Sequence, residues 1–300
     1  MTGLHLRLPA TSANLGPGFD AVGLAMALYL TIDAAVADDF SIVATGRNAD
    51  LCAQIENNFI FATYREVLVA TGRPVLPLAL VLHNEIPLGM GMGSSAAALL
   101  AGVLLANHFG ELGWTGQQIL EEACRREGHP DNVAACWLGG MTSSASVGSH
   151  VVTATCGENI NWKLLIALPS GSLATEKARA LLPDLYTRVD AVANVQNTAL
   201  LVAAFALHRG DLLRHAMRDR LHQPYRMEAC PLLPKLLPMT GENGVLGVAL
   251  SGAGPSVLII VEDDAPTLEL VAKIRESTEI PLLEIIETKI ASGTCRNFSG

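Results

Sequence analysis

Ile86-Pro87-Leu88-Gly89-Met90-Gly91-Met92-Gly93-Ser94-Ser95 runs straight into Ala96-Ala97-Ala98-Leu99-Leu100-Ala101. Three glycines alternate, and two serines then open a segment of strong helix formers that continues to about Asn107. A glycine-rich loop opening a buried helix concentrates positive potential. Its backbone N–H groups can approach an anion without a Cβ in the way. The helix N-terminus adds unpaired N–H groups and about half a positive charge. Ser94 or Ser95 could place a hydroxyl on a Mg²⁺ that bridges phosphates. No Gly-Lys-Ser/Thr occurs, so this is not a Walker A loop, and the glycine spacing differs from the dinucleotide fingerprint. Taken alone, the stretch also fits a flexible turn before a core helix.

The rest of the chain makes local potential necessary. The formal net charge is −9 over 300 residues, with no Lys/Arg cluster, which argues against nucleic acid as a partner. Half of the residues are hydrophobic and 16% are charged, an ordinary globular composition. The richest apolar stretch noted, Ala97 to Ala106, stops at Asn107-His108, short of the ~20 residues a membrane span needs. No basic segment followed by an apolar core opens the chain, so the expectation is a cytoplasmic protein with no membrane partner. Six cysteines are scattered without a CxxC pair and read as reduced, mostly buried thiols.

Three further stretches concentrate polar groups. Glu127-Gly128-His129-Pro130-Asp131-Asn132 packs two carboxylates, an imidazole and an amide beside a helix start; carboxylates suit Mg²⁺, and helix capping is the plain alternative. Pro9 to Asp20 sets Thr11, Ser12, Asn14 and Asp20 among turn formers and reads as a loop between apolar strands. Ser251-Gly252-Ala253-Gly254-Pro255-Ser256 separates two strands, as a hairpin or as a second backbone contact to an anion. His222 stands in a dense polar cluster, Asp219 to Arg226, whereas the other histidines outside 127–132 are isolated.

Hydrophobic spacing places strands near 4–8, 22–37, 40–45, 78–83, 141–147, 162–168, 245–250, 256–261 and 281–288. Helices are expected near 58–71, 94–107, 116–126, 175–181, 188–208 and 265–276, with another that has Pro130 in its first turn and ends at Gly139-Gly140, and further helices to about 238. Strands and helices interleave in both halves, which predicts an α+β protein. Two domains are expected, residues 1–160 and 161–300.

Pro9 to Asp20, Pro87 to Ala97 and Ser251 to Ser256 occur in the order of the three motifs of the GHMP kinases and resemble them. The first loop, Glu127 to Asn132, Thr175-Glu176-Lys177-Ala178-Arg179 and His222 to Arg226 are more particular and look like the homoserine-phosphorylating branch of that superfamily. The resemblance covers about residues 4–260. It implies a two-domain GHMP kinase fold, with an N-terminal domain like ribosomal protein S5 domain 2, a ferredoxin-like C-terminal domain and the active site between them. It implies ATP and Mg²⁺ as cofactors, L-homoserine as the small-molecule substrate, a step in threonine biosynthesis, and a homodimer. By the same resemblance Pro87, Leu88, Gly89, Met90, Gly91, Met92, Gly93, Ser94 and Ser95 cradle the phosphates. Ser94 or Ser95 and Glu127 hold Mg²⁺, and Thr175 lies near the γ-phosphate. Asn14, Asp20, His129, Arg179 and Arg226 surround the substrate. Asp131 and Asn132 belong to the catalytic site, neither being assigned as a base. Met90, Met92 and Ala135-Cys136 depart from the common pattern in small ways. The rival readings are a GHMP kinase for another carboxylated alcohol and a non-catalytic nucleotide or metabolite sensor on the same scaffold.

Overall fold

Two sheets carry the fold in the computed structural model, which describes residues 3–173 and 175–299. The first is built from β1 (Gly3–Asn14), β2 (Gly18–Val36), β3 (Ser41–Gly46), β4 (Leu78–Asn84), β5 (Met141–Val147) and β6 (His150–Cys156). The second contains β7 (Lys163–Leu168), β8 (Val245–Leu250), β9 (Val257–Val261) and β10 (Glu284–Lys289). The last strand, β11 (Cys295–Ser299), returns to pair with β1, so the first sheet runs β11-β1-β2-β4-β3. β2 is 19 residues long, enough to pair with β4 through Leu30–Val36 and with β5 through Val22–Leu24.

The helices between these strands are α1 (Ala49–Cys52), α2 (Phe59–Ala70), α3 (Ser94–Phe109), α4 (Gly116–Glu127) and α5 (Asp131–Leu138) in the first half. The second half adds α6 (Thr175–Arg179), α7 (Arg188–Ala206), α8 (Leu213–Ala216), α9 (Gln223–Arg226), α10 (Leu232–Leu236) and α11 (Thr267–Thr278). The second sheet has the order β10-β7-β9-β8 with antiparallel neighbours, helices joining β7 to β8 and β9 to β10. That is the split βαβ arrangement of ferredoxin-like domains, as expected.

Local chemistry explains where α3 and α4 begin and end. Gly93, at φ 69°, precedes α3 and lets the chain turn sharply out of the glycine loop. Alanine and leucine then bury nearly every face of α3, which runs through the centre of the first unit. Thr115 and Gln118 form a capping box at the start of α4, and Gly128, at φ 89°, ends it. That stop turns Glu127 and His129 back towards the start of α3.

The core joins both sheets. β7 is buried on both faces, and its residues alternate between two clusters. Leu164 and Ile166 belong to the cluster built on α3 and the first sheet, whereas Leu165 and Ala167 pack with α10 and α11.

Several sequence expectations need correction. Pro9–Gly18 is not a loop throughout: β1 continues to Asn14, because residues 10–13 pair with β2 and Thr11 and Ser12 are fully buried. Strands β6 and β11 were not anticipated. One helix, α7, is by length and composition apolar enough to cross a membrane, a property the reading of 97–106 as the richest apolar stretch passed over. Its Asn194 and Thr198 nevertheless hydrogen-bond the Pro17 carbonyl, and its Leu201 and Phe205 enter the core, so it is packed within this fold. Of the free cysteines, Cys124, Cys136 and Cys230 are buried, Cys52 and Cys156 half-buried, and Cys295 exposed.

Candidate active site

Three loops meet where α3 begins. Gly89, Gly91 and Gly93 all have positive φ, between 69° and 74°. At Gly91 a Cβ would overlap the carbonyl oxygens of Ser251 and Gly254, and at Gly93 the Thr11 hydroxyl. The glycines thus let the three motifs touch through their backbones. Thr11 N donates to Met92 O at 3.1 Å, and Ser251 Oγ to Gly91 O at 2.7 Å. Gly252 N donates to Ala13 O at 3.1 Å, and Asn14 Nδ2 to Gly252 O at 2.9 Å. Ser94, Ser95 and Ala96, the first turn of α3, face a cavity of about 200 Å³. No side chain caps that turn, so its N–H groups are available to an anion.

The opposite wall comes from the β1–β2 turn and the α4–α5 junction. Asn14 and Asp20 both adopt positive φ, and the Asn14 side chain accepts from Asp20 N at 3.0 Å, fixing the turn. Glu127, His129, Asp131 and Asn132 line the same cavity. Asp131 is buried and paired with His129 Nδ1 at 2.6 Å, while its backbone neighbour Asn132 N donates to the same oxygen at 2.7 Å. Thr11 Oγ1 donates to Asn132 Oδ1 at 2.7 Å, tying this junction to the first motif. Burial pushes the Glu127 carboxyl above the usual carboxylate range; nearby Asp131 adds to the rise, and His129 and Arg179 oppose it. For His129 burial pulls down, but the hydrogen bond to Asp131 and the surrounding carboxylates outweigh it, and the ring is held above its ordinary value.

The second unit supplies two arginines. Arg179, at the end of α6, grips Asp20 with both terminal nitrogens at 2.6 and 3.0 Å. Arg226, in α9, is 1% exposed. Its Nε donates to Ala178 O at 3.2 Å and its Nη1 to His222 Nδ1 at 3.0 Å. Among the described residues no carboxylate lies within ion-pairing distance of it. Burial, and then the nearby Arg179 charge, lower the Arg226 pKa. His222 is fully buried and bonds Gly16 O through Nε2 at 2.8 Å, so it is neutral with the proton on Nε2. Phe19 lies beneath both guanidinium groups, 5.4 and 5.7 Å away, and stacks on His222.

The cavity therefore gathers Asn14, Asp20, Gly89, Gly91, Met92, Gly93, Ser94, Ser95, Glu127, His129, Asp131, Asn132, Arg179 and Arg226. Pro87, Leu88 and Met90 belong to the loop but not to this lining. Thr175 begins α6, and its side chain lies outside the described residues. Phe19 and His222 were not among the expected site residues. His222 was detectable from its polar neighbourhood; nothing in the sequence marks Phe19, an aromatic residue between two loops.

Comparison with known proteins bears on the same residues. The family model of the GHMP kinases N terminal domain matches residues 58–140, and that of the GHMP kinases C terminal region matches 201–278. A homoserine kinase of Solibacter usitatus is 48% identical over 260 residues, 86% of this chain and 85% of its own. A homoserine kinase of Desulfitobacterium hafniense is 40% identical over 258 residues, 86% of this chain and 87% of its own. The chain belongs to the homoserine kinase family of GHMP kinases. The two family matches take in the glycine loop, Glu127, Asn132, Arg226 and Ser251, whereas Asn14, Asp20 and Arg179 fall outside them yet reach the same cavity. Among solved structures, a homoserine kinase from Cytophaga hutchinsonii superposes with a TM-score of 0.83 at 24% identity, covering 99% of this chain and 98% of that one. The mevalonate diphosphate decarboxylase from Enterococcus faecalis superposes with a TM-score of 0.69 at 13% identity, covering 99% of both chains. The homoserine kinase family thus shares its fold with a decarboxylase, and the substrate must be argued from the cavity.

Beyond the glycine loop a second cavity, about 400 Å³, opens along Leu30, Ile60, Leu82, Ile86 and Leu88. It is mainly apolar and shares Ser94 and Ser95 with the first. An apolar cleft of this size can admit a flat heterocycle.

Proposed function

We propose that the chain transfers the γ-phosphoryl group of ATP to the side-chain hydroxyl of L-homoserine, giving O-phospho-L-homoserine and ADP. Arg226 carries this reading. A buried guanidinium with no described carboxylate partner, facing a cavity that also holds a phosphate-binding loop, calls for an anionic group on the acceptor. The substrate carboxylate supplies it, with bidentate geometry suited to arginine. Asp20 meets the ammonium, so a zwitterion takes over from both ends the pair that Asp20 and Arg179 make with each other.

The adenine occupies the apolar cavity beside Leu88, and the glycine loop and first turn of α3 hold the phosphates. Ser94, Ser95 and Glu127 fit a magnesium ion: they are hard oxygen donors in one cavity, and a cation would relieve the burial that raises the Glu127 pKa. The ion, when bound, neutralises charge on the transferring phosphoryl group. Asp131 and Asn132, locked by His129 and Thr11, orient the acceptor hydroxyl. The new O–P bond forms as the bond to ADP breaks, and the hydroxyl proton leaves to solvent or to a phosphate oxygen. A loose transition state needs positioning and charge stabilisation more than a strong base. Thr175 is assigned to the γ-phosphate from the resemblance of its motif alone. ADP release measured against homoserine, other hydroxy amino acids, mevalonate and sugars tests the assignment; preference for any of these over homoserine would overturn it.

A further inference from the structure

A cavity of about 420 Å³ lies in the second unit and shares no lining residue with the catalytic one. The segment from α8 to α9, the residues just after α10 and β8 enclose it. Its volume falls within the roughly 300–1,000 Å³ of small-molecule sites. Met217, Met227, Leu237, Pro238 and Val248 make its apolar surface, and the exposed Arg214 and Arg218 stand at its rim.

Gln223 lines the same cavity and is 3% exposed. Its Oε1 accepts from Leu250 N at 2.7 Å, and that donor fixes which end of the amide faces β8. The other end, Nε2, has no partner among the described residues. Nor is it sealed in protein, because the described buried side-chain atoms without a partner are Ser12 Oγ, Ser256 Oγ and Thr288 Oγ1. Nε2 therefore opens on the cavity. A donor at so buried a residue is costly to leave unpaired, and a group kept for a ligand is the exception that explains it.

The charges beside it tell what the ligand carries. The Arg218 side chain makes no hydrogen bond or ion pair with any described residue, and Arg214 donates through Nε to His215. In a chain of net charge −9, two guanidinium groups without a carboxylate partner at one apolar cavity suit an anion. Asp219 borders the cavity too, but its carboxylate is fully buried and already accepts from Leu221 N, His222 N and Gln223 N. An amino acid bound here would leave its ammonium unpaired.

We propose that this cavity is a second ligand site, for a small carboxylate carried on an apolar chain. The carboxylate sits between Arg218, Arg214 and Gln223 Nε2, and the chain rests against Met217 and Met227. The site is distinct from the acceptor site, although α9 carries both Gln223 and Arg226, so the test must separate the two.

Nuclear magnetic resonance of the full chain with isotopically labelled methionine methyls does so, because Met217 and Met227 line this cavity and Met92 lines the catalytic one. Hexanoate, raised to about 10 mM, should shift the Met217 and Met227 signals saturably and leave Met92 in place. Acetate, which lacks the chain, hexanol, which lacks the charge, and leucine, which adds an ammonium, should each bind at least about tenfold more weakly. Arg218→Gln should weaken hexanoate by about tenfold or more and keep wild-type turnover. Gln223→Glu should weaken it as much, while retaining an oxygen for Leu250 N. Arg226→Leu should bind hexanoate as wild type does. No shift of Met217 and Met227, hexanol or leucine binding as tightly as hexanoate, or a shift confined to Met92 and lost in Arg226→Leu would each overturn the proposal.

Discussion

Arg179 and Asp20, 159 residues apart in the chain, close on each other through two hydrogen bonds of 2.6 and 3.0 Å at the mouth of the cavity. About a third of each side chain is exposed, at 37% and 34%, so the pair contributes little to stability. On the proposed function its importance is to the ligand: each group neutralises the other until the zwitterionic substrate separates them. Asp20→Asn and Arg179→Gln should each raise KM for homoserine with little effect on melting temperature. Because the singles strand a partner, the double variant should lose less than the sum of the two losses. Additive losses in a double-mutant cycle would show that the two residues act on the ligand independently.

Gly91 and Gly89 separate the two tasks of the loop. An alanine at Gly91 meets the carbonyls of Ser251 and Gly254, whereas at Gly89 the nearest atom is Ser172 Cβ at 3.2 Å. Both positions have positive φ, which costs a residue with a Cβ about 1 kcal/mol. Gly91→Ala should therefore lower the melting temperature as well as ATP affinity. Gly89→Ala should weaken ATP binding with a smaller loss of stability. Calorimetry with ATP and a thermal melt on each variant distinguish these outcomes.

The contrast shows what could be read from the sequence. The glycine loop was legible because alternating glycines lead straight into Ser94-Ser95 and a run of helix formers, in order with two other polar motifs. Its contacts were not: that Gly91 exists to admit Ser251, and Gly93 to admit Thr11, depends on chain segments that meet only in the fold. Thr11 and Ser12 misled for the same reason. Their type suggests a turn, and long-range pairing with β2 makes them strand and buries them. The polar strand β11 carries Arg296 and Asn297, which signal no sheet until β1 offers its edge. The helix α7 was expected from the sequence, but only the packing shows which of its sides faces out.

Glu127 should betray itself through pH. Its folded pKa is raised by burial, so the folded state favours the protonated form. The ionised form costs stability as pH rises through the unfolded value near 4.5 and on through the raised folded one. Glu127→Gln removes that cost. The variant should melt no lower than wild type, with an advantage that grows from acidic pH upwards and then levels off. Its turnover should nevertheless fall, by about 100-fold or more if a charge on the transferring phosphoryl goes uncompensated. Near-normal kcat at saturating Mg²⁺ would remove Glu127 from the site.

His129 should move in the same direction with pH, although here it is the charged form that stabilises. Its folded pKa lies above the ordinary 6.5, so the stability it draws from Asp131 is fully present below 6.5 and is lost as pH rises through the folded value. The melting-temperature gap between wild type and His129→Gln should be widest in mildly acidic buffer and close as pH rises. A gap independent of pH would mean that the 2.6 Å contact to Asp131 holds a neutral imidazole.

Arg226 gives the sharpest test of substrate choice. It is buried, bonded to Ala178 O and His222, and left without a described carboxylate. Losing one partner of a buried, hydrogen-bonded charge pair costs about 2–5 kcal/mol. At about 1.4 kcal/mol per tenfold, Arg226→Leu should lower kcat/KM for homoserine by roughly 30-fold or more. Stability should hold or rise, since burial already disfavours this cation in the free protein. Arg226→Lys should not restore activity, because an ammonium cannot keep the Ala178 and His222 bonds and also present a planar fork. Homoserine analogues lacking the carboxylate should be poor substrates for wild type and lose little more in the variant. ATP affinity should stay unchanged. If Arg226→Leu weakened ATP binding and spared homoserine, this arginine would belong to the nucleotide, and the acceptor carboxylate would need another partner.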